Sequence, residues 1–168
     1  DKGLTQIRER VHKLSYLSES EKSFVLNRIE TPRGESTVSL GNAQIAIEAI
    51  VEDLGIKQKV LSEIARLMPE DAVIASNTSS LPITELAKGI PDPSRVVGMH
   101  FFNPVDKMPL VEVIHGKETS NKTIAVTAAL ATKLGKYPIV VSDVPGFLVN
   151  RILTPYLNAA SFLLSEGY

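Results

Sequence analysis

The stretch from Arg95 to Ile114 constrains the fold more than any other part of the chain. Two apolar runs, Arg95 to Phe102 and Leu110 to Ile114, are separated by a short segment that contains Asn103-Pro104 and Met108-Pro109. This composition predicts two strands joined by a turn. Because so short a connection cannot contain a crossover helix, we expect the strands to be antiparallel neighbours.

The pairing of these strands places two polar side chains together. With the turn centred near Asp106, His100 faces Glu112 across the strands, with the Cβ atoms about 5 Å apart. A slip of one residue would send them to opposite faces. A carboxylate beside an imidazole orients the ring and stabilises the imidazolium that forms when the other nitrogen takes a proton, as in a general base. The alternative is an ordinary structural charge pair, because most perturbed histidines are structural.

Short apolar runs alternate with helical patterns along the rest of the chain. Gln44 to Ile50, Ala72 to Ala75 and Tyr137 to Val141 each have the length and composition of a buried strand. This alternation predicts an α/β fold whose mostly parallel sheet is covered by helices on both faces. The antiparallel pair lies at one end, and the last strand runs parallel to the strand that carries Glu112.

The helical patterns supply the expected boundaries and inward faces. Two amphipathic helices come first, the second opened by a capping box at Ser18 to Glu21 and given an apolar stripe that includes Phe24. Residues 31–34 then break the pattern, and a later helix begins at Pro82. For the helix after Gly55, the expected inward residues are Ile56, Val60, Ile64 and Leu67. For the helix after Ser120, they are Ile124, Leu130 and Leu134, followed by Gly135 as the cap.

The segment Asp143 to Gly146 indicates a domain boundary. Beyond it, Phe147 to Glu166 is predicted as one long helix that contains Pro155 and has more apolar positions than this chain can cover. We therefore predict two domains, residues 1–144 and residues 145–168, the second being the start of a helical domain. Since the chain opens at Asp1 inside a helical pattern, we expect it to be a piece of a longer protein.

Composition excludes several classes of function. A net charge of −1 argues against nucleic acid or an anionic membrane as a partner. No apolar run approaches the roughly 20 residues of a membrane span. The chain has no cysteine, and its three histidines lack metal-ligand spacing, so no metal site is expected. We expect a soluble protein of the cytoplasm or an organelle matrix.

Polar residues follow three of the predicted parallel strands. They are Glu52, the segment Asn77 to Ser80, and His100 with Asn103. Ligands of open parallel sheets bind beyond the carboxyl ends of the strands, so we expect a site at this edge. The alternatives are structural: Glu52 only favours a helix N-terminus, Ser79 only caps, and Asn103 only turns the chain. None of the ten glycines forms a G-x-G, so the usual dinucleotide-binding fingerprint does not occur in the sequence.

Five segments, in order and spacing, resemble the L-3-hydroxyacyl-CoA dehydrogenase family. They are residues 47–52, 75–81, 98–104, 110–114 and 143–151, and the combination of H-F-F-N-P with P-G-F-x-x-N-R is very specific. The resemblance covers roughly residues 36–168. It implies a Rossmann-like domain followed by the first helix of an all-helical domain, with NAD as the cofactor and a 3-hydroxyacyl-CoA of fatty-acid β-oxidation as the substrate.

The resemblance also implies roles for individual residues. His100 would take the proton of the 3-hydroxyl group, and Glu112 would hold its ring. Asn150 would hydrogen-bond the substrate, and Ser79 would bind either the 3-hydroxyl group or the coenzyme A portion. The implied contacts with NAD belong to Ala49, Glu52, Lys57 and Asn103.

Two expectations about the whole protein follow from the resemblance. The family's glycine-rich loop would precede Asp1, so these 168 residues alone should show weak or absent NAD binding and negligible turnover. A helical domain after Tyr168 would form a homodimer, or the chain would be part of a multifunctional β-oxidation enzyme. The alternatives are a non-catalytic structural or binding protein of the same fold, and a related 3-hydroxyacid dehydrogenase with a lysine base. No lysine occupies the place of His100.

Overall fold

The computed structural model describes residues 2–30 and 40–168. The chain divides into two compact units, Asp1–Ser39 and Leu40–Tyr168. The predicted break at residues 31–34 lies outside the described residues. Among the helices described, none combines the length and the apolar composition needed to cross a membrane.

The described part of the first unit, residues 2–30, has two helices, α1 (Lys2–His12) and α2 (Glu19–Leu26). The predicted capping box is confirmed: the Ser18 hydroxyl accepts from the Glu21 amide, and the Glu21 carboxylate accepts from the Ser18 amide. The predicted apolar stripe of α2 is wrong at Phe24. This side chain is exposed, and the guanidinium of Arg28 lies over its ring at 5.1 Å from the centroid.

The second unit is built on a five-stranded sheet in the order β1-β2-β3-β4-β5. The strands are β1 (Ile45–Glu48), β2 (Val73–Ser76), β3 (Val96–Phe101), β4 (Leu110–His115) and β5 (Tyr137–Ser142). The first three are parallel, β3 and β4 are antiparallel, and β5 runs parallel to β4. The predicted α/β fold with one antiparallel pair is therefore confirmed.

Four α-helices and two short 3₁₀ turns complete this unit. The helices are α3 (Leu54–Leu67), α4 (Ile83–Leu86), α5 (Asn121–Lys133) and α6 (Val149–Ser165), and the 3₁₀ turns are Leu40–Asn42 and Pro93–Arg95. Asp53 and Ser120 cap α3 and α5 by accepting from backbone amides of the first turn. Pro82 is the N-cap of α4, so the helix begins at Ile83, one residue after the predicted start.

Buried side chains cover both faces of the sheet, because successive strand residues alternate between them. Ile74 packs on the face covered by α3, α4 and Phe147. Its neighbours Val73 and Ala75 pack on the other face, which α5 covers through Ala131. The predicted two-sided cover of the sheet is confirmed.

The predicted inward face of α3 is wrong at Ile56 and Leu67, whereas Ile64 packs against the core as predicted. Ile56 and Leu67 are 49% and 47% exposed, whereas the buried residues of the helix are Lys57, Leu61 and Ala65. The buried face begins at a lysine, Lys57. Because the apolar pattern passes over a lysine, it placed the start of that face at Ile56. Lys57 is buried because its ammonium group finds acidic partners inside the fold.

The predicted inward face of α5 is wrong at Leu134, which is half exposed, while Gly135 ends the helix as predicted with φ +73°. Thr123 and Thr127 are buried instead. The Thr127 hydroxyl donates to the Thr123 carbonyl at 2.8 Å, and the Thr123 hydroxyl donates to the Ser94 carbonyl at 2.9 Å. A threonine whose hydroxyl is bonded to the backbone packs as an apolar residue, which a hydrophobic pattern does not register.

The helix α6 begins at Val149, two residues after the predicted start, and contains Pro155 as expected. No residue of α6 is buried in the described chain. Its large apolar side chains are exposed, among them Ile152, Leu153, Tyr156, Leu157 and Phe162. The predicted domain boundary at residue 144 stays a prediction.

Candidate active site

The His100–Glu112 pair forms as the strand register predicts. The two residues are direct partners across β3 and β4, and His100 Nδ1 lies 2.8 Å from Glu112 Oε2. His100 is 6% exposed and Glu112 is fully buried. The sheet therefore fixes an imidazole and a carboxylate in direct contact.

The other oxygen of Glu112 also has partners. Oε1 accepts the backbone N–H groups of Leu148 and Val149 at 3.0 and 2.9 Å, at the start of α6. With both oxygens of the carboxylate acting as acceptors, Nδ1 of His100 is the donor to Oε2. The neutral ring then leaves Nε2 able to take a proton, and no hydrogen bond to Nε2 occurs within residues 2–30 and 40–168.

Two aromatic rings pack against His100. The centroid of the Phe102 ring lies 4.5 Å away, and the Phe147 ring approaches edge-on at 5.9 Å. Phe147 is buried in the core cluster beneath this face of the sheet. The rings and the carboxylate together restrict the rotation of the imidazole.

Glu52 organises the loop that follows β2. Its Oε1 accepts the Thr78 hydroxyl at 2.6 Å and the amides of Ser79 and Ser80 at 3.0 and 3.2 Å. The N-cap of α3 is the next residue, Asp53. Glu52 therefore fixes the loop that presents Ser79, beyond any effect on the helix N-terminus.

Replacing Glu52 by glutamine should lower stability at neutral pH by at most about 1 kcal/mol, because over a third of the side chain faces solvent. Burial alone would raise the pKa of Glu52, but the Thr78 hydroxyl, the Ser79 amide and the Lys57 ammonium outweigh it and hold the pKa below 4.5. Such a group adds stability above its unfolded pKa and loses it as the pH falls through the folded pKa.

Urea denaturation of the unaltered protein and the Glu52→Gln variant, repeated from neutral pH to about pH 3, checks this prediction. The two denaturation midpoints should converge in acid. A constant difference across the range would contradict the assignment of the pKa shift.

Lys57 lies beneath this loop and is 1% exposed. Its ammonium group contacts Glu48 at 2.7 Å, Glu52 at 3.3 Å and the Ile50 carbonyl at 3.3 Å. Glu48 in turn accepts the Ser76 hydroxyl at 2.6 Å. Lys57 itself is buried, whereas its partner Glu52 is partly exposed to solvent. The predicted contact of Lys57 with NAD stays a prediction.

Sequence reasoning missed Glu48 as part of this network. The only signal was a carboxylate inside an otherwise apolar strand, since a buried charge requires a partner. The partner, Lys57, is nine residues further along, and the resemblance implied for it a contact with NAD rather than an ion pair.

The remaining predicted residues lie around the same edge of the sheet. Asn150 Nδ2 donates to the Ser79 carbonyl at 3.3 Å, which joins the start of α6 to the loop after β2. Ala49 and Asn103 are exposed, just beyond the ends of β1 and β3. In the part of the chain that the structure describes, no group of acidic or histidine side chains is arranged to hold a metal ion.

Comparison with known proteins gives a family match. A family described as 3-hydroxyacyl-CoA dehydrogenase, NAD binding domain, has a sequence model that matches residues 1–144. The alpha subunit of the fatty acid oxidation complex of Psychrobacter cryohalolentis is 54% identical over 123 residues, or 73% of this chain. The chain spans 17% of the length of that relative.

Solved structures with the same fold carry related names. The 3-hydroxybutyryl-CoA dehydrogenase of Escherichia coli superposes with a TM-score of 0.91 at 32% identity, covering 98% of this chain and 35% of its own. The (S)-3-hydroxybutyryl-CoA dehydrogenase of Ralstonia eutropha gives 0.87 at 45% identity, covering 97% and 57%.

Proposed function

Because the chain belongs to the 3-hydroxyacyl-CoA dehydrogenase family, by its NAD-binding domain, we propose that it supplies the proton-transfer site of an NAD-dependent 3-hydroxyacyl-CoA dehydrogenase. The observation that carries the proposal is the His100–Glu112 pair, in which Nδ1 lies 2.8 Å from the carboxylate and Nε2 has no hydrogen-bond partner among the described residues. The substrate class rests on the names of the relatives, which are enzymes acting on 3-hydroxybutyryl-CoA and a fatty acid oxidation subunit.

The groups around this pair fit one end of a dinucleotide. Ala49 and Asn103 offer exposed backbone and amide groups at the carboxyl edge, and Glu52 fixes the loop between them. Ligands of open parallel sheets bind at this edge. We assign the contacts with the nicotinamide and its ribose to these residues. Because the sequence has no G-x-G, we assign none of its residues to the pyrophosphate. NAD, when bound, supplies the hydride acceptor.

His100 acts as the general base. As the hydride leaves C3, positive charge develops there, and transfer of the hydroxyl proton to Nε2 relieves it. Glu112 stabilises the imidazolium that results and keeps the ring oriented. General-base catalysis of this kind contributes about 10²–10⁴-fold to the rate. Asn150 and Ser79 border the same space and bind the substrate.

The assembly of the whole protein is also a proposal. The Psychrobacter cryohalolentis relative is a subunit of a complex, which supports a place in a multifunctional enzyme. A homodimer that covers the exposed apolar face of α6 is the other arrangement.

A dehydrogenase assay on the full-length protein that contains this chain tests the function. With NAD and an L-3-hydroxyacyl-CoA, we expect NADH to accumulate with saturation kinetics. The D-isomer serves as the control and should give little product. Tight binding of NADH without any turnover would favour the non-catalytic alternative and end the proposal.

A further inference from the structure

The first turn of α6 has no cap from its own segment. The residue at the N-cap is Leu148, which makes no side-chain capping bond. First-turn amides of a helix lack partners within the helix. Two of them, at Leu148 and Val149, are satisfied by Glu112, which lies 36 residues earlier in the chain.

A tight turn aims these amides at Glu112. Gly146 has φ +76° and Phe147 has φ +48°, so two consecutive residues are left-handed. A bulky residue with positive φ is a genuine outlier and persists only where its surroundings hold it. The buried ring of Phe147 packs in the core and against His100. This packing stabilises the left-handed conformation.

We propose that the Gly146–Phe147 turn is a positioning element for the His100–Glu112 pair. It seats two amides of α6 on Oε1, which fixes the carboxylate rotamer and directs Oε2 at His100 Nδ1. The ring is thereby held in the tautomer whose Nε2 accepts a proton. The inference rests on the proposed function, because this tautomer matters to catalysis only if His100 is the base.

Gly146→Ala tests the role of the turn. An added Cβ would lie 3.1 Å from the Arg151 amide nitrogen and 3.4 Å from its Cα, so the first turn of α6 must shift. Because a Cβ at these distances displaces its neighbours by only a few tenths of an ångström, we expect kcat to fall by less than the roughly 10²-fold that about 1 Å of misplacement costs, with little change in NADH affinity.

Gly135→Ala is the matched control. Gly135 has a similar φ of +73°, but a Cβ there meets nothing within 4 Å, and the residue lies at the end of α5. The substitution carries the same backbone strain without the displacement of α6. We expect a comparable loss of stability and an unchanged kcat.

The ring nitrogens of His100 give a readout that does not depend on turnover. Nitrogen-15 NMR should show one tautomer, protonated at Nδ1, in the unaltered protein and in Gly135→Ala, and a mixture in Gly146→Ala. If Gly146→Ala keeps both the tautomer and the kcat of Gly135→Ala, the inference is wrong. Absent turnover in all three proteins would instead overturn the proposed function, and the NMR result would still decide the role of the turn.

Amide hydrogen exchange provides a second measurement if Gly146→Ala does not fold. In the unaltered protein, the amides of Leu148 and Val149 should be protected although they lie in a first helical turn. Exchange at the rate of free amides would overturn the inference.

Discussion

Replacing His100 by alanine in the full-length protein should lower kcat by about 10²–10⁴-fold, the usual contribution of a general base. The side chain is the group beside the proposed hydroxyl that can take a proton, and Glu112 stabilises the charge it gains. Its loss should leave NADH affinity nearly unchanged, because the proposed cofactor contacts lie at Ala49, Glu52 and Asn103. Steady-state kinetics and NADH titration measure the two effects separately.

His115→Ala is the control for this substitution. His115 lies at the far end of β4, where it lines a cavity of about 390 Å³ with Thr84, Lys117 and Asp143. The control removes the same ring from the neighbouring strand of the antiparallel pair, and kcat should not change. Normal turnover in His100→Ala would end the assignment of the base.

The sequence predicted the sheet, and it predicted the central pair for one of the registers that the turn allows. The eight-residue connection forced β3 and β4 to be antiparallel, and the position of the turn set the register that joins His100 to Glu112. Both depend on chain geometry over a short distance, which a pattern can specify.

The environment of that pair could not be predicted in the same way. The contact of Glu112 with the start of α6 depends on backbone amides, which carry no residue-specific signal. The burial of Lys57 and Glu48 was not predicted, because a buried ion pair interrupts the apolar periodicity that identifies a core face. The sequence pattern therefore does not predict which groups distant in the chain pair with a buried charge.

Replacing Glu112 by glutamine should lower kcat by about 10⁴-fold while the fold is retained, as for the equivalent amide beside the histidine of a serine protease. The glutamine oxygen must still face the two donors, the amides of Leu148 and Val149. The amide NH₂ group then faces His100 and donates to Nδ1, so the ring proton moves to Nε2. In that tautomer Nε2 cannot accept the substrate's proton.

The alternative orientation of the glutamine does not restore activity, because it would place the NH₂ group against two backbone donors. Kinetics at neutral pH and circular dichroism measure the loss of turnover and the retention of fold. Glu85→Gln is the control, since it makes the same chemical change at an exposed pair with Lys88 and should alter neither. Full activity in Glu112→Gln would show that the carboxylate does not set the tautomer of His100, and the acid–base role would then have to belong to another group.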